Sequence, residues 1–245
     1  GLSRYHPDYT KGGYVMYPVR PLDAFVAISP TGVIESRVTN NNADAIQKYD
    51  ASSGTITSGD LKVGMEGAND YVTGFQFGNV VVPKGATITN AYVELTAKAS
   101  NAGLTTWEIA AEAVGDANNY GTTQINSRTY GNVTNYSPVP WTANEVYKIP
   151  VTAAINEVVN RADWCGGNAL SLRIKDVSAA KSLRTAYSAD TAGSDAQKPN
   201  LVVSFSIDPK KTDSCVKIAG ISDSPKTTVL TVAKGNDDAT WQSNN

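Results

Sequence analysis

The chain has 245 residues, with 21 Lys+Arg against 23 Asp+Glu and a formal net charge of −2. That balance excludes a protein that holds nucleic acid through a basic excess. A single histidine, His6 near the terminus, leaves no basis for a histidine-driven nucleophile or a zinc site built from His and Cys.

Charged residues make only 18% of the chain, and Thr, Ser and Asn fill the gap with 64 of 245 positions, as in β-rich extracellular proteins. The first residues, Gly-Leu-Ser without Met, fit a processed, secreted form. No apolar run approaches the roughly 18 residues of a membrane-spanning helix.

Residues 1–34 form an arm rich in Tyr and Pro, with Pro7, Pro18, Pro21 and Pro30 favouring extended chain. Its apolar run Phe25, Val26, Ala27 and Ile28 is a strand candidate. Residues 35–207 read as one β-rich domain. Val72 to Phe77 is a strand, and Val80 to Val82 runs into the turn Pro83-Lys84-Gly85. From Ala91 to Lys98 the alternation puts Val93, Leu95 and Ala97 on one face and Tyr92, Glu94 and Thr96 on the other. Trp107, Ile109 and Ala111 alternate in the same way with Glu108, Ala110 and Glu112. Residues 115–145 are loop-like. In Thr152 to Ala162, Ile155, Val158, Val159 and Ala162 fall on one helical face. Leu170 to Ile174 and Leu201 to Phe205 are the last strands of the domain. Residues 208–245 form a second arm, in which Thr227, Thr228, Val229, Leu230, Thr231, Val232 and Ala233 make a β-branched strand candidate. Short strands, frequent turns and one short helix predict an all-β, jelly-roll-type β-sandwich with an arm at each end.

Several segments together resemble a known module: Asn42 to Ala45, Thr57 to Gly64, Val72 to Ala97, Ile155 to Leu172, and Arg184 to Phe205 with its Thr185-Ala186-Tyr187-Ser188-Ala189-Asp190 run. Their order resembles the DNRLRE-like, carbohydrate-binding-module-like jelly-roll domains of secreted prokaryotic surface proteins. The resemblance spans about residues 35–207 and implies the sandwich. Such modules serve as glycan binders, spacers and parts of surface assemblies, so the fold alone does not select among these roles.

Four groups of residues are candidate sites. Glu94, Glu108 and Glu112 lie on the polar faces of consecutive strands. They would approach one another, as glycoside hydrolysis requires, only if those strands pair; solvated surface charge is the plainer reading. Tyr120, Tyr130, Tyr136, Trp141 and Tyr147 cluster in the loop-rich middle, either as a stacking platform for sugars or as plugs of the sandwich edge. Asp44, Asp60 and Asp70 sit in turn-like sequence, where they would hold a structural calcium or simply bond their own backbone. Asn132 and Asn135 each begin an N-x-[ST] sequon.

Cys165 and Cys215 predict one disulfide fastening the second arm to the domain, worth about 3–4 kcal/mol in the chain-entropy model. No catalytic activity and no cofactor are expected. The two strand-capable arms favour a structural subunit of an extracellular filament or surface assembly, joined by strands donated to a neighbour's sheet. The alternative is a non-catalytic carbohydrate-binding module whose partner is a surface glycan.

Overall fold

The computed structural model describes residues 2–8, 13–19, 31–49, 54, 56–208 and 215. Strands β1 (Leu2–Asp8) and β2 (Gly13–Val19) pair antiparallel with Leu2 opposite Val19 and Asp8 opposite Gly13, so much of the N-terminal arm is a hairpin. The candidate strands Phe25, Val26, Ile28 and Thr227 to Ala233 lie outside the described residues.

The remaining elements run β3 (Thr31–Arg37), β4 (Asp44–Lys48), β5 (Leu61–Glu66), β6 (Asn69–Phe77), β7 (Thr87–Thr96), β8 (Trp107–Ala111), β9 (Thr134–Tyr136), β10 (Val146–Pro150), α1 (Thr152–Val159), β11 (Leu170–Asp176), β12 (Arg184–Ala186) and β13 (Asn200–Ser206). They form an all-β, jelly-roll-type sandwich. One sheet has the order β10-β7-β13-β3; the other runs β12-β5-β6-β11-β8-β9, with β4 also paired to β6. The first strand of the sandwich, β3 in the smaller sheet, starts at Thr31.

The core lies between the two sheets because each strand turns its alternate apolar residues inward. Ala91, Val93 and Leu95 of β7 face Trp107, Ile109 and Ala111 of β8 and Leu170, Leu172 and Ile174 of β11 across one continuous buried cluster. Each such Leu, Ile or Val contributes about 1.5–3 kcal/mol by leaving water. Helix α1 buries Ala154, Ile155, Val158 and Val159 against β7 and β8. Thr152 fastens its first turn: the Thr152 hydroxyl accepts from the Ala91 amide at 2.9 Å. The helix stops at Val159, short of the Ala162 that periodicity suggests. The Asn160 side-chain amide donates to the Asn156 carbonyl at 2.7 Å, taking the acceptor that the next backbone turn would use.

Two local features shape the surface. Hairpin β5–β6 pairs from Glu66–Asn69 to Gly64–Tyr71, and then β5 leaves for β12, with Leu61 opposite Ala186. Gly64 makes this departure with φ +94°, and a Cβ there would lie 2.8 Å from the Ser182 carbonyl oxygen. A bridge between Ala97 and Ala186 then links β12 to the far sheet. The second feature is a small apolar cluster outside the main core. The stretch 117–130 folds over the outer face of the larger sheet, and Tyr120, Ile125 and Tyr130 close over Ala45 and Val72.

Candidate functional site

The loop aromatics do not form an open platform. Tyr120 is 3% exposed, and its hydroxyl lies 2.7 Å from Ser171 Oγ beneath the outer-face loop. Trp141 is also 3% exposed; it stacks on Tyr147 at 5.0 Å and meets Trp107 edge-on at 5.8 Å. Both are packing residues, and their faces are already covered by protein. Tyr130 is half-buried, donates to the Ile125 carbonyl at 3.0 Å, and carries the Arg173 guanidinium 4.2 Å from its ring centroid. Tyr136 is half-buried beside Trp107, with ring centroids 6.3 Å apart. Burial pushes the phenols of Tyr120, Tyr130 and Tyr136 above the ordinary tyrosine value.

The three glutamates do not converge. β7 and β8 lie in opposite sheets, so Glu94 is separated by the sandwich from Glu108 and Glu112. Each has its own partner. Glu94 accepts from the Asn200 amide at 3.0 Å, Glu108 pairs with Lys175 at 2.8 Å, and Glu112 pairs with Arg128 at 2.5 Å. Neighbouring β-strands in sequence need not be neighbours in a sandwich, and here the chain crosses between layers.

The three aspartates are also dispersed. Asp44 opens β4 rather than a turn, Asp60 pairs with Lys98 at 2.6 Å, and Asp70 lies in β6 and pairs with Lys181. Among the described residues, no group of three or more His, Cys, Asp or Glu side chains is placed to hold a metal ion. Asn132 and Asn135 are both exposed, Asn135 on the short edge strand β9. Cys165 and Cys215 are joined in a disulfide with a Cα–Cα distance of 4.8 Å. The carbonyl of Cys215 also accepts from Gly166 N at 2.8 Å, so covalent and backbone bonds fix the same point.

An open aromatic site does exist, at a residue that periodicity does not single out. Tyr49 follows β4 and is 43% exposed, the one aromatic among the exposed large apolar side chains of the described residues. Its backbone is held from both sides: Tyr49 N donates to the Asp70 carbonyl at 2.9 Å, and the Asn126 amide donates to the Tyr49 carbonyl at 3.0 Å. Lys175 and Lys181 bring their ammonium groups 4.8 and 5.5 Å from the ring centroid. Lys175 in turn holds Glu108, and Lys181 holds Asp70. Cross-strand register extends the row, since Glu108 lies opposite both Lys175 and the exposed Asn135. On the outer face of the larger sheet, an exposed aromatic ring thus has two ammonium groups over it, with the Glu108 carboxylate and the Asn135 amide on the adjoining strands.

No family model matches the chain, so none supports the DNRLRE-like resemblance, and no curated protein matches it. Among solved structures, the chain is similar to the family 11 carbohydrate-binding module from Clostridium thermocellum, in complex with a β-1,3-1,4-mixed-linked tetrasaccharide. The match has 10% identity and a TM-score of 0.25, and covers 83% of this chain and 95% of that one. The fold itself is fixed by the strand pairing above: a jelly-roll-type β-sandwich. It carries a disulfide, compatible with an extracellular setting, and no helix among the described residues is long and apolar enough to cross a membrane.

Proposed function

We propose that this chain is a non-catalytic carbohydrate-binding domain of a secreted protein, with the face around Tyr49 as its glycan platform. The observation that carries the reading is the exposed Tyr49 ring set among Lys175, Lys181, Glu108 and Asp70. A pyranose offers an apolar C–H face to an aromatic ring while its hydroxyls donate and accept around the rim, and an exposed ring beside charged side chains supports that reading. Glu108 and Asp70 are each engaged in an ion pair with one of the two lysines.

Affinity electrophoresis against a panel of soluble polysaccharides tests the reading. At least one polysaccharide retards the wild-type chain, and Tyr49→Ala abolishes the retardation without lowering Tm. Failure of every polysaccharide to retard the wild type, or undiminished retardation of Tyr49→Ala, overturns it.

A second reading, self-association through a donated strand, has one observation in its favour. Strand β3 ends its sheet, so within the described residues it has one pairing partner, and Val33 on it is 68% exposed. An unpaired edge of this kind accepts an added strand. Electron microscopy of the full chain and of chains lacking residues 1–30 or 222–245 tests it. Filaments that vanish with one deletion support donation. A full chain that stays monomeric at high concentration rules it out.

A further inference from the structure

Arg173 lies on β11 two residues before Lys175, and alternation puts both side chains on the outer face of the larger sheet. Its neighbours across the sheet offer it no counter-charge. Arg173 stands opposite Ala110 on β8, and the acids on either side of Ala110 are already taken, Glu108 by Lys175 at 2.8 Å and Glu112 by Arg128 at 2.5 Å. Opposite on β6 is Gly74, flanked in the same row by Val72 and Gln76, none of them charged. Asp70, the next acid on β6, is held by Lys181. The Arg173 guanidinium instead rests on the Tyr130 ring, 4.2 Å from its centroid, with Nε closed to solvent and without a hydrogen-bond partner. Among the described residues, none accepts a hydrogen bond from Arg173 or pairs with its charge. A half-buried cation in this state has given up part of its water for an aromatic face alone.

We propose that Arg173 receives a carboxylate of the bound glycan, so that the Tyr49 face takes an acidic polysaccharide built of uronic acid residues. The inference rests on the reading of the Tyr49 face as the glycan site. Lys175 connects the two places: it follows Arg173 by two residues, about 7 Å along the strand, and its ammonium lies 4.8 Å from the Tyr49 ring centroid. Neighbouring sugars of one chain can bridge such a separation. A guanidinium is the side chain best matched to a carboxylate. It is planar and always charged, it donates two parallel N–H bonds, and it does so from its edge while its face rests on an aromatic ring. A uronate also brings negative charge to a face where Glu108, Glu112 and Asp70 are all spent on other cations. Binding would then supply the counter-charge that the fold leaves out, whereas a neutral glycan would leave Arg173 unpaired.

The test is isothermal titration of the full chain with polygalacturonate and alginate, with the alkyl esters of both, in which the carboxylate is masked, and with dextran sulfate, a polyanion without carboxylates. Wild type is compared with Arg173→Gln, Arg173→Lys and Arg37→Gln, the last removing the same charge from β3 in the other sheet. Thermal unfolding checks each variant, and Arg173→Gln is expected to fold because Arg173 has no polar partner to lose. In the expected result, wild type and Arg37→Gln bind at least one of the two uronate polymers, at least about tenfold more tightly than its ester or dextran sulfate. Arg173→Gln weakens that binding by at least about tenfold, and Arg173→Lys recovers little of it. Equal uronate binding by wild type and Arg173→Gln overturns the inference. So does dextran sulfate bound as tightly as the uronates, because charge in general would then suffice. Esters bound as well as the acids, or a neutral polysaccharide alone retarding wild type but not Tyr49→Ala, overturn the role of Arg173 and leave the Tyr49 platform standing. If no polymer of either kind binds, the platform falls and this inference with it.

Discussion

The guanidinium of Arg128 lies 4.1 Å from the centroid of the Tyr120 ring, while its Nη1 donates to Glu112 at 2.5 Å. The same fork donates to the carbonyls of Asn118, Asn119 and Thr123 at 2.8, 2.9 and 3.0 Å. One buried cation thus fastens the outer-face loop to β8 and shapes the polar edge of the small apolar cluster. Arg128→Ala would leave Glu112 and three carbonyls without their donor, for a loss of about 3–5 kcal/mol. Arg128→Lys is expected to recover little, since an ammonium lacks the planar fork. Urea unfolding of both variants measures this.

Gly74 on β6 makes room for the same ring. A Cβ at that position would sit 2.5 Å from Tyr120 Oη and 2.6 Å from its Cζ. Gly74→Ala must therefore push the ring out of its seat, with an expected cost of about 1–3 kcal/mol from overpacking. The double variant Gly74→Ala with Tyr120→Leu should cost less than the sum of the two single changes, which a double-mutant cycle reads directly.

Much of this architecture was legible because burial on one face imposes a period. Val93, Leu95, Trp107 and Ile109 announced two strands, and Ile155, Val158 and Val159 announced the helix. The presence of two cysteines in a secreted-looking chain is enough to suggest their bridge. Loop residues carry no such period. For Tyr120 and Trp141 the sequence leaves a sugar-stacking platform and a plug of the sandwich edge both open; the loop bearing Tyr120 folds back to make its own small core, and Trp141 completes the main one. Tyr49 is invisible to a sequence pattern for the complementary reason. Nothing local marks it, and its neighbours Lys175 and Lys181 arrive from the other end of the chain. For Glu94, Glu108 and Glu112 the sequence leaves open whether β7 and β8 pair, because it shows only that they are consecutive, and topology puts them in different layers.

Alkaline pH is expected to unfold the protein through its buried phenols. Burial holds Tyr120 and Tyr130 above the ordinary tyrosine value of about 10. The folded state therefore keeps protons that the unfolded chain releases. Their contribution to stability is complete below about pH 10 and falls as pH rises beyond it. Tyrosinate absorbance followed with circular dichroism should show these two groups ionising only as the fold is lost. Tyr120→Phe should soften the alkaline transition while costing about 1 kcal/mol at neutral pH, through the lost bond to Ser171.

Reducing the Cys165–Cys215 bridge, or replacing both cysteines with serine, should lower stability by about 3–4 kcal/mol. Guanidinium unfolding with and without reductant gives the difference. The serine variant should show no response to reductant.

The bridge also decides how the molecule bears a load. It encloses 50 residues of sequence, a span that includes β11, β12 and β13. Tension applied beyond Cys215 passes through the sulfur atoms to Cys165, at the end of the helix–turn segment, and never pulls on the end of β13. That strand lies between β7 and β3 in the smaller sheet, so the sheet cannot be unzipped from this side. Stretched between its two ends, the oxidised chain should lengthen by roughly 170 Å less than the reduced one, the extended length of the enclosed segment at about 3.4 Å per residue. Whatever the C-terminal residues are attached to, the pull is delivered to the helix end of the sandwich and the last strands stay slack.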